Sequence, residues 1–247
     1  MNNVANDIKT FNESVTILAH NFRKHPLDYP SEEPIRTHLY SVLSEIVKPL
    51  YKKVSFRPDC DEHANKPYVK KFMDELKGLT HSLHSSRIQI EISFRPKIDE
   101  KDISYDLAIL SDSRNSLYAV SKAMGPVAWD RDKQEISVLC EIKHSRNEGA
   151  RRWKDVKTVP QDILRISEFM SVSNKVSMGV ILFFDFWGDD DTFAKRREEI
   201  TNEVPKIKEN YDEDVYLYYI PRLGKIIGKL KVNLSAKRVD VINETNE

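Results

Sequence analysis

The run VSMGVILFF, residues 176–184, is apolar at almost every position. A strand with one wet face alternates apolar and polar residues. A strand without alternation is covered on both faces, which is the habit of parallel strands in α/β proteins. The chain that holds this run must therefore supply helices for both sides of a sheet. Its apolar heart, GVILFF at 179–184, is far too short to cross a membrane.

The remaining pattern supplies those layers. RIQIEISF, 87–94, alternates strictly, with Ile88, Ile90, Ile92 and Phe94 on one face. ISYDLAIL, 103–110, and EISVLCEIK, 135–143, read as two further strands. The connection between them carries a short strand of its own at 116–121. Ile8, Phe11, Val15, Leu18 and Phe22 fall at helical spacing and stop before Pro26. A second helix starts after Ser31, a fitting N-cap, accepts Pro34 in its first turn, and aligns Ile35, Leu39, Val42 and Ile46 before ending near Pro49. FRPDCDEHANKP, 56–67, reads as a loop, and 67–79 as a short helix. A further helix runs from about Val156 or Pro160 to Ser171. The tail adds a charged helix from Thr192 to Glu209, the strand VYLYYIP and a last strand at 225–234. From Ser31 to Phe184 the order is helix, three strands, helix, strand. The expectation is one α/β domain over 1–247: a mixed sheet flanked by helices, an N-terminal helix within 1–30, a core over 31–185 and a C-terminal elaboration over 186–247.

Composition narrows the function classes. With 40% hydrophobic and 32% charged residues among 247, the chain lies outside the disordered class. Its net charge is zero, so nucleic-acid binding would have to rest on a local patch. Two cysteines, Cys60 and Cys140, make no disulfide framework. MNNVANDIKTFNES at the start is polar and lacks the hydrophobic region of a signal peptide. These features lead us to expect a soluble, cytoplasmic protein with no membrane partner. The seven histidines do not join the cysteines at zinc-ligand spacing. No GxxxxGK loop, GxGxxG turn or nucleophile elbow is present.

The chemistry concentrates on two strands. Asp106 lies among Leu107, Ala108, Ile109 and Leu110, where an unpaired carboxylate is costly. Glu141 and Lys143, two residues apart on VLCEIKHS, share a face. Alone, that pair is accounted for by a same-face ion pair worth about 0.2–1 kcal/mol. If the two strands are neighbours, all three groups converge. Two close carboxylates repel unless a cation lies between them, and a hard divalent ion resolves the conflict. A lysine beside it can orient or help deprotonate a water, or stabilise charge on a phosphorane, which are the parts of metal-assisted phosphodiester hydrolysis.

With SYDLAIL and LCEIKHS in this order, the chain resembles the PD-(D/E)XK nuclease superfamily, whose restriction-endonuclease-like core is helix, three strands, helix, strand. The resemblance covers roughly residues 31–185. It implies Asp106 and Glu141 as metal ligands, Lys143 as the catalytic lysine, and Mg²⁺ or Mn²⁺ as cofactor. It also implies a third acid on the first helix, where SEEPIRTHL offers Glu32, with Glu33 as the neighbouring alternative. A first-turn glutamate is favoured by the helix dipole in any case. In some members an acid stands where Glu91 does, and a polar residue such as Gln161 reaches in from the second helix. Tyr105 replaces the usual proline, and 35 positions separate Asp106 from Glu141. RPD at 57–59 with DEK at 99–101 matches the bare motif more closely, but neither piece lies on an apolar strand.

After the lysine, KHSRNEGARRWKDVK holds Lys143, Arg146, Arg151, Arg152, Lys154 and Lys157 against Glu148 and Asp155, with Trp153 among them. Such a segment suits phosphate tracking and base stacking; the plainer reading is a solvated loop over a packed tryptophan. GDDD, 188–191, reads as a loop and helix start. The expected function is a metal-dependent endonuclease acting on nucleic acid, DNA rather than RNA, in restriction, defence or repair. Family members often dimerise to cut both strands, so a homodimer is among the expectations. The rival is a catalytically silent nucleic-acid-binding or assembly subunit with the same fold; a second is an adaptor whose charges are structural.

Overall fold

The computed structural model describes residues 3–48, 50–55, 80–85, 87–94, 103–111, 135–145, 150–173, 175–242 and 245–246. The helical stripe near the start folds as α1 (Asn3–Lys24), and α2 spans Glu32–Ile46. β1 (Leu50–Ser55) and β2 (Thr80–Ser85) follow, then β3 (Ile88–Phe94), β4 (Ile103–Leu110) and β5 (Ile136–Ser145). The carboxyl-terminal part contains α3 (Ala150–Ser173), β6 (Gly179–Asp185), α4 (Asp190–Glu203), β7 (Asp214–Pro221), β8 (Ile226–Asn233), β9 (Arg238–Val241) and β10 (Thr245–Asn246).

The fully apolar strand is where the pattern placed it. Every residue of β6 is buried, and its neighbours β5 and β7 both run parallel to it. Antiparallel strands close the sheet on either side, giving the order β10-β8-β7-β6-β5-β4-β3, with β9 also paired to β8. The result is an α/β fold with a mixed sheet between two helical layers. On one face Phe11, Leu18 and Phe22 of α1 and Ile35, Leu39 and Leu43 of α2 cover Val138, Cys140, Val180 and Leu182. On the other, Val159, Ile163, Ile166 and Met170 of α3 and Phe193 and Ile200 of α4 cover Leu139, Ile181, Phe183 and Leu217. Among the described residues no helix is long and apolar enough to cross a membrane.

Several expectations change in detail. On α2 Leu43 is buried while Ile46 is 46% exposed, so the packed stripe steps by four residues and the predicted Val42 and Ile46 fall off it. Ser31 occupies the N-cap but makes no side-chain capping bond. α3 begins at Ala150, well before Val156, and continues through Pro160. The strong helix formers ahead of that proline outweigh its missing amide. α4 ends at Glu203 and not at Glu209, because Pro205 allows only a 3₁₀ turn, Val204–Lys206, to follow. The paired strands β1 and β2 were not foreseen; LYKKVS and THSLHS carry too few apolar residues to announce them, and they form a two-stranded sheet of their own. The loop at 56–67, the helix at 67–79, the strand at 116–121, Cys60 and the alternative motif at 57–59 and 99–101 lie outside the described residues.

One buried ion pair pins α1 to the sheet. Arg87 pairs with Asp7, and its Nε donates to the Leu110 carbonyl at 2.9 Å. Ser137 Oγ donates to the same Asp7 oxygen, Oδ2, at 2.6 Å. Both charged side chains are almost fully buried. Removing one partner of such a pair strands the other charge. Asp7→Ala is therefore expected to destabilise the protein by about 3–5 kcal/mol, read as a lower midpoint in urea unfolding. A loss under 1 kcal/mol would show that the pair does not hold the layers together.

Candidate functional site

β4 and β5 part company where the polar residues begin. Their antiparallel ladder runs from Leu110 opposite Ile136 to Leu107 opposite Cys140 and then stops. Beyond it β4 continues against β3, and β5 continues against β6 as far as Ser145 opposite Asp185. Two β5 amides on the side facing β4 are thus left without a strand partner. Buried backbone donors must be satisfied, and carboxylates do it. Asp106 Oδ2 accepts from the Ile142 N–H at 2.7 Å, and Glu32 Oε1, from the first turn of α2, accepts from the His144 N–H at 3.2 Å. The fork between two diverging strands is the site.

Alternation on β5 decides what else enters it. Cys140 and Ile142 pack under α1 and α2, and the ring of His144 meets Phe22 edge-on at 6.1 Å on that side. Glu141 and Lys143 follow Leu139 toward α3. Lys143 Nζ lies 2.7 Å from Glu141 Oε1 and 3.5 Å from Asp162 Oδ2. Arg165 Nη2, from the next turn of α3, lies 2.8 Å from Glu141 Oε1 and 3.1 Å from Asp162 Oδ1. Its guanidinium also covers the Tyr105 ring, 5.4 Å from the centroid. Two acids and two bases thus interlock above β5. Glu141 Oε2 is buried and has no hydrogen-bond partner among the described residues.

On the α2 side, Arg36 bridges two strands. Nη1 is 3.1 Å from Asp106 Oδ1 and Nη2 is 2.8 Å from Glu91 Oε1. The register that pairs Ile90 with Leu107 and Ile92 with Tyr105 sets Glu91 level with Asp106. Glu91 adopts a left-handed backbone, φ 49°, which a residue with a Cβ avoids without a reason.

The fork's electrostatics follow from its burial. Desolvation pushes the Asp106 carboxyl above its ordinary value, and Glu141 adds to the rise. Desolvation also raises Glu32, against the opposing pull of Lys143. Asp162 is pushed up to about 6, by burial first and Glu141 as well, although Lys143 and Arg165 pull it down. Burial alone would lower Lys143, but Asp162 and Glu141 outweigh it, and the ammonium is held more firmly than usual.

Of the residues singled out from sequence, Asp106, Glu141, Lys143 and Glu32 meet at this fork, and Glu91 joins through Arg36. Glu33 and Gln161 are exposed. The α3 residues facing the site are instead Asp162 and Arg165. GDDD caps α4: the Asp189 side chain accepts from Thr192 N at 2.7 Å. Arg146 lies outside the described residues, as do the side chains of Arg151, Arg152, Trp153, Lys154 and Lys157, whose backbone opens α3 directly after β5.

Hard oxygen donors, an Asp106 carboxyl raised by burial and by Glu141, and a buried carboxylate oxygen without a partner among the described residues suit a small divalent cation held by one or two protein ligands and water. Among the described residues, however, no three acidic, histidine or cysteine side chains are gathered as a metal-ligand set. Arginines, a lysine and backbone amides hold those oxygens instead. Comparisons with protein-family models, curated proteins and solved structures return no match for this chain.

Asp162 gives the site a pH signature. Its native carboxyl holds a proton more tightly than the unfolded chain does, so its contribution to stability is complete below the ordinary value of 3.8 and is lost as pH rises through about 6. Glu32 and Asp106 shift in the same sense. Asp162→Asn is expected to flatten the fall in unfolding free energy between about pH 4 and pH 6, measured by urea titration. An unchanged slope would mean that Asp162 is not raised.

Proposed function

We propose that the protein is a Mg²⁺- or Mn²⁺-dependent nuclease of the PD-(D/E)XK kind, hydrolysing phosphodiester bonds in nucleic acid, with DNA favoured over RNA. On this reading α2, β3, β4, β5, α3 and β6 form a restriction-endonuclease-like core. The observation that carries it is the fork itself: Asp106 and the Glu141–Ile142–Lys143 triplet meet where two strands diverge, and one buried Glu141 oxygen has no hydrogen-bond partner among the described residues.

Asp106 and Glu141 would hold the cation, with Glu32 as the third carboxylate within electrostatic reach. A bound divalent ion would polarise a phosphoryl oxygen and make a water more acidic. Lys143 stays protonated between Glu141 and Asp162, so it acts as a fixed cation that positions a water or neutralises a phosphorane, and not as the base. Asp162 and Arg165 fix Lys143 and Glu141 in place from α3. In sequence the basic residues Arg151, Arg152, Lys154 and Lys157 follow Lys143 closely, a composition that suits contact with a phosphate backbone.

The second reading, a catalytically silent nucleic-acid-binding or assembly subunit, is favoured by the missing three-ligand set among the described residues. Cleavage separates the two. Wild type should cut plasmid or oligonucleotide DNA in Mg²⁺ or Mn²⁺ and lose the activity in EDTA. Asp106→Ala, Glu141→Ala and Lys143→Ala should each reduce the rate by about a hundredfold or more. Equal rates in wild type and all three variants would place the chemistry elsewhere.

A further inference from the structure

Arg36 stands in an unusual position for a residue beside a candidate cation ligand. Its guanidinium is largely buried and forks between a mostly buried carboxylate, Asp106, and a mostly exposed one, Glu91. The exposed partner is also the residue whose backbone is strained. An exposed glutamate gains little from one ion pair, so stability alone does not account for a left-handed Glu91. What the conformation does achieve is to hold a second anion within reach of the arginine, level with Asp106.

Resting on the metal-dependent reading above, we propose that Arg36 is a built-in competitor for the divalent cation at Asp106, with Glu91 as the anchor that receives the arginine when the cation binds. Arg36 neutralises Asp106 and so spares the fork a bare carboxylate that Glu141 repels. On cation binding, Nη1 gives up Asp106 Oδ1 while Nη2 stays on Glu91 Oε1, a movement of one guanidinium edge with no rearrangement of α2. The hydrogen bond from Nη1 to Asp106 is exchanged for coordination of the cation, and no covalent bond is made or broken.

Manganese affinity of the full-length protein tests this directly, by calorimetry or by the spin-resonance signal of free Mn²⁺, with no cleavage readout. Arg36→Gln removes the competitor and should bind Mn²⁺ about tenfold more tightly than wild type. Arg36→Lys keeps a charge beside Asp106 and should stay close to wild type. Glu91→Gln removes the receiving anchor from an exposed position that tolerates change, and should weaken Mn²⁺ binding. Measurable wild-type binding that Arg36→Gln leaves equal or weaker overturns the competitor, even if the nuclease reading stands. Unchanged binding in Glu91→Gln overturns the anchor, and decides the matter if Arg36→Gln does not fold. If neither wild type nor any variant binds Mn²⁺, or Asp106→Ala binds as wild type does, the metal-dependent reading falls and takes this one with it.

Discussion

The structure turns on two amide groups. The Ile142 and His144 N–H of β5 face a strand that has already turned away, and burial forbids leaving them open. Had β4 followed β5 to its end, backbone carbonyls would have met them and the sheet would have been continuous and chemically silent. Instead the side chains of Asp106 and Glu32 do it, which draws two carboxylates to the end of a strand that itself carries Glu141. A backbone requirement thereby concentrates negative charge at one point of an otherwise neutral chain.

That concentration is balanced from both helical layers. From α3, Arg165 meets Glu141 and Asp162 while Lys143 bridges the same two acids. From α2, Arg36 meets Asp106 and Glu91. Three bases thus face five acids, and the carboxyls of Glu32, Asp106 and Asp162 are raised, because burial weighs more on them than the neighbouring cations relieve. Burial therefore favours a proton on these acids even beside their paired bases.

The strands were legible because their residues obey simple periods. β6 has no polar residue before Asp185, β3 alternates, and the pair Glu141 and Lys143 must share a face whatever lies beneath. The fork could be guessed from Asp106 interrupting an apolar run. Asp162 and Arg165 were missed although a signal existed. Val159, Ile163, Ile166 and Met170 form the buried stripe of α3, and Asp162 lies beside that stripe, three residues after Val159 and four before Ile166. A carboxylate at the border of a buried stripe faces the sheet, whereas Gln161 faces solvent. Arg36 was hidden for a different reason: its partners come from β3 and β4, more than fifty residues away, and only the paired register brings them level. The unforeseen β1 and β2 pair with each other alone, so neither carries the core pattern that would have exposed it.

A purely structural account of the fork has to explain its cost. Buried ion networks are at best near break-even against well-packed apolar residues, and this one leaves Glu141 Oε2 without a partner among the described residues and Glu91 in a strained backbone. Selection for stability alone would favour a leucine at 106 and a completed ladder. Asp7 and Arg87 show what a structural pair looks like in the same protein: both are almost fully buried, their hydrogen bonds go to backbone and to Ser137, and they fasten a helix to the sheet. The fork is built differently. Arg36, Asp106, Lys143 and Arg165 keep part of their side chains open to solvent, acids outnumber bases, and the groups sit at the end of β5 where the ladder to β4 has already stopped. In open α/β sheets ligands bind outside the carboxyl ends of the strands, and the Lys143 end of β5 is its carboxyl end.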